Sequence, residues 1–235
     1  MTPAGPPPDK AIPALSPSLV KLDAGTLLWR VHSTFRPAIC FKDQPTDEVF
    51  GGGRFDATQA DPYPFLYAAP AAETAILETV SRDVPFHASH FRTIRQKNVA
   101  GLTLSPVLVI TPLTLISLMN GIELASALQD GWLIQCESHD YPKTRRWARW
   151  LRLQVPAAQG IAWPSRRNVG SQAVVLFGDR CDSVLELAGE PPIDLASPFG
   201  ADWLNQVLKP YRIRITPPRP AAATMPRKAR LGGGC

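Results

Sequence analysis

The sequence predicts an α+β fold, and three observations predict it. Short apolar or alternating runs, bounded by Gly, Pro, Asn or Asp, recur along the chain and read as strands. Two segments, Ala71–Arg82 and Lys143–Leu153, combine helix formers with helical periodicity. The strands and helices mix without the regular βαβ order that a doubly wound sheet requires. With 235 residues, 45% hydrophobic and 19% charged, the chain can bury a full core in one domain.

The first twenty residues carry Pro3, Pro6, Pro7, Pro8, Pro13 and Pro17 and read as a disordered leader, residues 1–20. The globular domain is expected over 22–216. Thr26–His32 reads as a strand, with Leu28, Arg30 and His32 on one face and Leu27, Trp29 and Val31 on the other. Phe65–Ala69 reads as a second short strand. Ala71–Arg82 is a helix with Ala72, Ala75, Ile76, Thr79 and Val80 as its apolar face. Arg92–Lys97 reads as a short helix. Leu102–Ile110 and Leu113–Leu118 read as strands broken at Pro112. Ile122–Leu128 is a short helix, and Lys143–Leu153 a stronger one that ends before Pro156. Ile161–Trp163 and Ala173–Phe177 are short strands around a turn at 164–170. Asp202–Leu208 reads as a helix and Tyr211–Ile215 as the last strand. Residues 217–235 read as a disordered basic tail.

The formal charge of +5 is unevenly placed. Residues 209–235 hold Lys209, Arg212, Arg214, Arg219, Arg227, Lys228 and Arg230 and no acid, which leaves −2 for residues 1–208. The basic pI therefore reports the C-terminal end and not the domain. The cysteines Cys40, Cys136, Cys181 and Cys235 have no metal-ligand spacing, which argues against a zinc site and a disulfide framework and fits a reducing, cytoplasmic setting. No secretory apolar region opens the chain, and the most apolar run, Val107–Met119, is too short to span a bilayer. No membrane partner is expected.

The chemistry-bearing residues lie in a few places. Gly51-Gly52-Gly53 lets a backbone come close to a ligand, and Arg54 follows with a planar five-donor cation. No Lys-Ser/Thr follows, so this is not a P-loop, and no G-x-G-x-x-G opens a helix. Glu78 is either a catalytic carboxylate or the partner of Arg82 one helical turn on. Arg30 and His32 either line an anion pocket together or form the wet face of a sheet. Ser165, in a turn beside Arg166 and Arg167, has no nucleophile elbow and suits holding a phosphate or a ribose. Arg145, Arg149 and Arg152 share one face of their helix, opposite Trp147 and Leu151. That leaves open a nucleic-acid-binding alternative that uses this face and the basic tail.

Taken together, these segments resemble the RES domain family. The matching pieces are Leu28-Trp29-Arg30-Val31-His32, Gly53-Arg54-Phe55, Leu66-Tyr67-Ala68, Thr74-Ala75-Ile76-Leu77-Glu78, Gly160-Ile161-Ala162-Trp163-Pro164-Ser165 and Val174-Val175-Leu176-Phe177, in the family's order over about residues 26–180. The resemblance implies a bacterial toxin of the Xre–RES toxin–antitoxin type that depletes NAD. It implies a split, twisted, mixed and antiparallel β-core flanked by helices, similar to ADP-ribosyltransferases. Glu78, Arg54 and Ser165 would be catalytic, and Arg30, Tyr67, Gly53 and His32 would hold the substrate. No metal or cofactor is implied. NAD is the substrate and phosphate a candidate co-substrate. The implied partners are an Xre-type antitoxin and, as an alternative assembly, a second copy of the chain. Hydrolysis, phosphorolysis and ADP-ribosyl transfer to a macromolecule stay open as reactions.

Overall fold

In the computed structural model of the chain, residues 15–81, 84–88 and 90–216 are described. The ends assigned above to a leader and a tail lie outside them, except 15–20. The fold is α+β. The largest sheet has five strands in the order β1 (Leu19–Leu22), β6 (Leu113–Ser117), β7 (Gly160–Pro164), β8 (Gln172–Phe177), β3 (Phe65–Ala68). Only the β6–β7 pair is parallel. A second sheet pairs β2 (Leu27–Ser33) with β5 (Leu102–Val109), whose other edge takes β9 (Leu185–Leu187) and β10 (Ile193–Asp194). The two sheets touch where Trp29 and Ala69 exchange backbone hydrogen bonds of 2.7 and 2.9 Å.

Strand alternation explains how the large sheet is covered. Phe65, Tyr67, Ile161, Trp163, Val175 and Phe177 face one way, and Leu66, Ala68, Ala162, Val174 and Leu176 the other. The first set packs under α4 (Tyr141–Gln154) through Trp147, Ala148, Trp150 and Leu151. The second meets Leu28, Val107 and Val109 of the second sheet. A third core joins α1 (Ala72–Val80), α5 (Pro198–Leu208) and the parallel pair β4 (Arg92–Arg95) and β11 (Ile213–Thr216) against Trp29, Val31 and Leu104. Shorter helices, α2 (Gly121–Ser126) and α3 (Trp132–Gln135), line the route from β6 to α4.

Several expectations change. Arg92–Lys97 is not a helix: Arg92–Arg95 pairs with Ile213–Thr216 and a 3₁₀ turn follows over Gln96–Asn98. Backbone pairing with a partner some 120 residues away overrides the local preference. Leu19–Leu22, which begins inside the expected leader, is a strand on Ile116–Leu113. The helix at Trp132–Gln135 had no periodic signal because it is a single turn. α4 is also not an ordinary amphipathic surface helix, since Arg145 and Arg152 are buried with Trp147 and Trp150.

Candidate functional site

The candidate site lies where α1, β3, β7 and the Gly51–Phe55 loop converge. A small cavity of about 60 Å³ is lined by Val31, Arg54, Tyr67, Glu78, Tyr141 and Trp163, with Ala and Thr side chains between them. That is room for a few waters and well under the roughly 150 Å³ of a cavity that holds a benzene ring.

The carboxylate side is built from helix α1. Thr74 and Glu78 stand one turn apart and face the turn that follows β7. Ser165 Oγ donates to Glu78 Oε1 at 2.6 Å. The same hydroxyl accepts from the backbone N–H of Asn168 at 2.9 Å and of Arg167 at 3.2 Å. Asn168 Nδ2 donates to Thr74 Oγ1 at 2.8 Å, and its Oδ1 accepts from Tyr211 at 3.1 Å. The turn is therefore tied to α1 at two points and to the C-terminal unit at a third. Ser165 is 2% exposed, so it serves as an internal donor that orients the carboxylate. Arg82, the alternative partner of Glu78, lies outside the described residues.

The glycine loop is held by its neighbours. Asp56 Oδ2 accepts from Gly53 N at 2.9 Å and from Thr46 Oγ1 at 2.6 Å. Tyr67 Oη accepts from Phe55 N at 2.9 Å. A Cβ on Gly53 would sit 2.5 Å from Asp56 Oδ1 and 2.8 Å from Tyr67 Oη, so no larger residue fits. Gly52 has φ of +74°, which favours glycine. Arg145 of α4 closes the loop from behind. It donates to Gly53 O at 3.1 Å, to Asp47 O at 2.5 Å and to Gly51 O. Burial, with Asp56 close by, holds the Tyr67 phenol well above its ordinary pKa, so it stays neutral.

Arg54 does not present a free fork to the cavity. Its Nη1 donates to Leu133 O and Cys136 Sγ, each at 2.9 Å, and its Nη2 to Cys136 O at 3.2 Å. Its guanidinium carbon lies 4.9 Å from the Tyr141 ring centroid. The arginine is a wall of the cavity and a brace for the segment after α3. Burial raises the Cys136 thiol pKa against the pull of Arg54, so it is a packing group. The cations beside Ser165 are Arg166 and Arg167, and both pair with Glu137, Arg167 at 3.9 Å. The hydrogen bond from Arg166 holds the Glu137 carboxyl down at about 2.

Arg30 and His32 are not in this cavity. On β2 it is Val31, from the opposite face, that lines it. Arg30 is buried and donates to Ala38 O at 2.5 Å and Cys40 O at 2.7 Å; desolvation lowers its pKa to about 10. His32 donates from Nδ1 to Ser33 O at 2.9 Å, which leaves Nε2 to accept from Ser105 Oγ at 2.8 Å. It lines a separate hollow with Thr34, Arg36 and Thr103. The expected place of Arg30 and His32 beside Arg54, Tyr67 and Glu78 as substrate-binding residues is not observed, because strand alternation turns both away from the cavity. The expected nucleic-acid face on α4 fails as well: Arg145 is taken up by the loop, and Arg152 pairs with Asp61 at 3.0 Å and Asp179 at 2.8 Å.

Sequence reasoning missed Tyr141, Asp56, Asn168 and Arg145 as parts of the site. Asn168 and Asp56 carry a readable signal, since Asx residues in a turn cap nearby N–H groups. Tyr141 and Arg145 carry none. Among the described residues, no three His, Cys, Asp or Glu side chains are grouped as a metal site, and no helix is long and apolar enough to cross a membrane.

Comparisons with known proteins bear on the family and the fold. The family model described as RES domain matches residues 27–196. No curated protein matches the chain in sequence at a significant level. Among solved structures, the chain is similar to one in the crystal structure of the M. tuberculosis MbcT–MbcA toxin–antitoxin complex. The TM-score is 0.52 at 17% identity, covering 74% of this chain and 85% of that one. At that identity the likeness shows the fold.

Proposed function

The chain belongs to the RES domain family, and from that premise we propose that it is an NAD-consuming enzyme that breaks the nicotinamide–ribose bond. The observation that carries this reading is the Glu78 carboxylate, oriented by Ser165 at 2.6 Å, at a small open cavity walled by Tyr67, Tyr141 and Trp163. An aromatic slot takes a flat nicotinamide ring. A carboxylate at its edge stabilises the positive charge that develops on the ribose anomeric carbon as the bond opens.

The step balances simply. The anomeric carbon–nitrogen bond breaks, and its electron pair returns to the ring nitrogen, which neutralises the pyridinium. An attacking oxygen from water, phosphate or an acceptor group forms the new bond and gives its proton to Glu78 or to solvent. Tyr67, held neutral, and Ser165 act as fixed dipoles. The cavity is far smaller than the dinucleotide, so in this reading the pyrophosphate lies outside it, along the turn after β7 that carries Arg166 and Arg167. In this reading they exchange Glu137 for phosphate oxygens.

The described fold is similar to a chain of a toxin–antitoxin complex, which supports a toxin role and an antitoxin protein as a partner. The test is incubation of the purified chain with NAD, with and without inorganic phosphate, and identification of products by mass. Release of nicotinamide is expected in both. ADP-ribose identifies hydrolysis, and its 1″-phosphate identifies phosphorolysis. A mass added to a protein or nucleic acid identifies transfer. No nicotinamide above the buffer rate overturns the proposal.

A further inference from the structure

We propose that the β4–β11 ribbon, on the rim of the cleft, binds single-stranded nucleic acid. The proposal goes beyond NAD chemistry and does not depend on it. The ribbon and its flanks carry Arg92, Arg95, Lys97, Lys209, Arg212 and Arg214, and residues 84–100 and 203–216 contain no acid. In β11, Ile213 and Ile215 are buried, while Arg212 just before the strand and Arg214 within it are exposed, so the basic side chains project to solvent.

Aromatic rings are set among these cations. The guanidinium of Arg92 lies 4.9 Å from the ring centroid of Phe86, which is 61% exposed. Those of Arg212 and Arg214 lie 5.8 and 5.6 Å from the Phe91 ring. Arg92 donates to Tyr211 O in the turn before β11 at 3.3 Å, and Arg214 to Thr93 Oγ1 of β4 at 3.4 Å, so these two guanidinia are held against the ribbon. Fixed guanidinium planes, the exposed Phe86 ring and the half-buried Phe91 ring offer two things on this basic surface. They supply phosphate contacts and flat faces on which unpaired bases stack. A duplex, with its bases already stacked, uses only the first.

The amount of charge separates this surface from a mere extension of the dinucleotide site. NAD has one pyrophosphate, whereas the ribbon and its flanks present six cations. The position is also specific. Tyr211 holds Asn168 of the catalytic turn, and the charge of Arg167 depresses the Arg92 pKa after desolvation has done so. A bound strand would therefore pass the mouth of the cleft.

The test is fluorescence anisotropy of the full chain with a labelled 12-nucleotide RNA and DNA of mixed sequence. The comparisons are the 12-base-pair duplex, and polyphosphate and poly-glutamate of matched charge as competitors. Saturable single-strand binding is expected, at least fivefold tighter than the duplex and weakened steeply by salt. The double variant Arg212→Gln/Arg214→Gln should weaken it about tenfold with NAD turnover unchanged, and Phe86→Leu about fivefold with the fold intact by circular dichroism. Glu78→Gln should bind the strand as the unmodified chain does. Equal competition by polyphosphate would reduce the surface to a general polyanion site and overturn the proposal, and stronger competition by poly-glutamate would point to an acidic protein instead. A double variant that raises the KM for NAD but binds the strand normally would assign these arginines to the dinucleotide, which also overturns it.

Discussion

Glu78 and Ser165 lie 87 residues apart in sequence and share one hydrogen bond of 2.6 Å. Their chemistry is asymmetric. Glu78→Gln keeps size and hydrogen bonding but removes the charge that favours the oxocarbenium-like state. The expected result is a fall in kcat of about 10²–10³ with NAD affinity within a few-fold, measured by single-turnover kinetics and by binding titration. A near-normal kcat in that variant would sink the assignment of Glu78. Ser165→Ala removes only the group that aims the carboxylate, and about a tenfold loss is expected. His32 makes a different prediction. Desolvation depresses its pKa, so the folded state disfavours the proton that the unfolded chain accepts. Its stabilisation is present above the ordinary histidine range and is lost as pH falls from there through the folded-state pKa. Urea melts at pH 7.5 and 5.5 should show this loss, and His32→Gln should flatten it.

At the scale of elements, the glycine loop depends on α4. Arg145 supplies donors to three loop carbonyls that have no strand to pair with. Arg145→Leu leaves those carbonyls without their partner, and a loss of roughly 3 kcal/mol is expected in chemical denaturation. A rise in the KM for NAD should accompany it, because Gly53, Arg54 and Phe55 lose their backing. Gly53→Ala acts on the same loop from the front, where its Cβ would meet Asp56 and Tyr67. Arg54 links this loop to the segment after α3 through Leu133 O and Cys136 O. Arg54→Lys should therefore lower stability as well as NAD affinity, by roughly 1.5–3 kcal/mol, since one ammonium cannot reach both carbonyls. An unchanged melting midpoint with weakened NAD binding would show that Arg54 acts on substrate alone.

Across the whole molecule, the cavity is walled by β2, the loop at Arg54, β3, α1, the start of α4, β7 and β8. Removal of residues 1–14 and 217–235 is expected to leave NAD turnover within about twofold, because the described walls of the cavity come from residues 31–173. A tenfold loss on that truncation would place one of these ends in the catalytic unit. The mouth of the cleft also joins distant parts. Arg166 and Arg167 hold Glu137 of the segment before α4. That pair is exposed and worth little to stability. In the proposed reaction it has to open before pyrophosphate can enter, so Glu137→Gln should lower the KM for NAD at low salt, measured in initial rates, and should lose that advantage at high salt.

Family membership, the α+β class and most strands could be read from the sequence alone. Arg54, Tyr67 and Glu78, which the structure brings to one cavity, and Ser165, which bonds to Glu78, are singled out in the sequence because each stands in a short motif that resembles the family's. The faces of β2 were legible too, since alternation needs only the backbone. Tertiary structure decided the rest. It decided that Val31, and not Arg30 or His32, meets the cavity, because alternation fixes two faces but not which one is turned toward α1. It turned Arg92–Lys97 from an expected helix into a strand paired with β11, and it buried Arg145 and Arg152 where periodicity placed a wet face. These outcomes rest on partners roughly 30–120 residues away, such as Gly53 and Leu133 for the arginines of the site. A local window of sequence carries propensity and period. It carries no record of which distant carbonyl will need a donor once the core has closed.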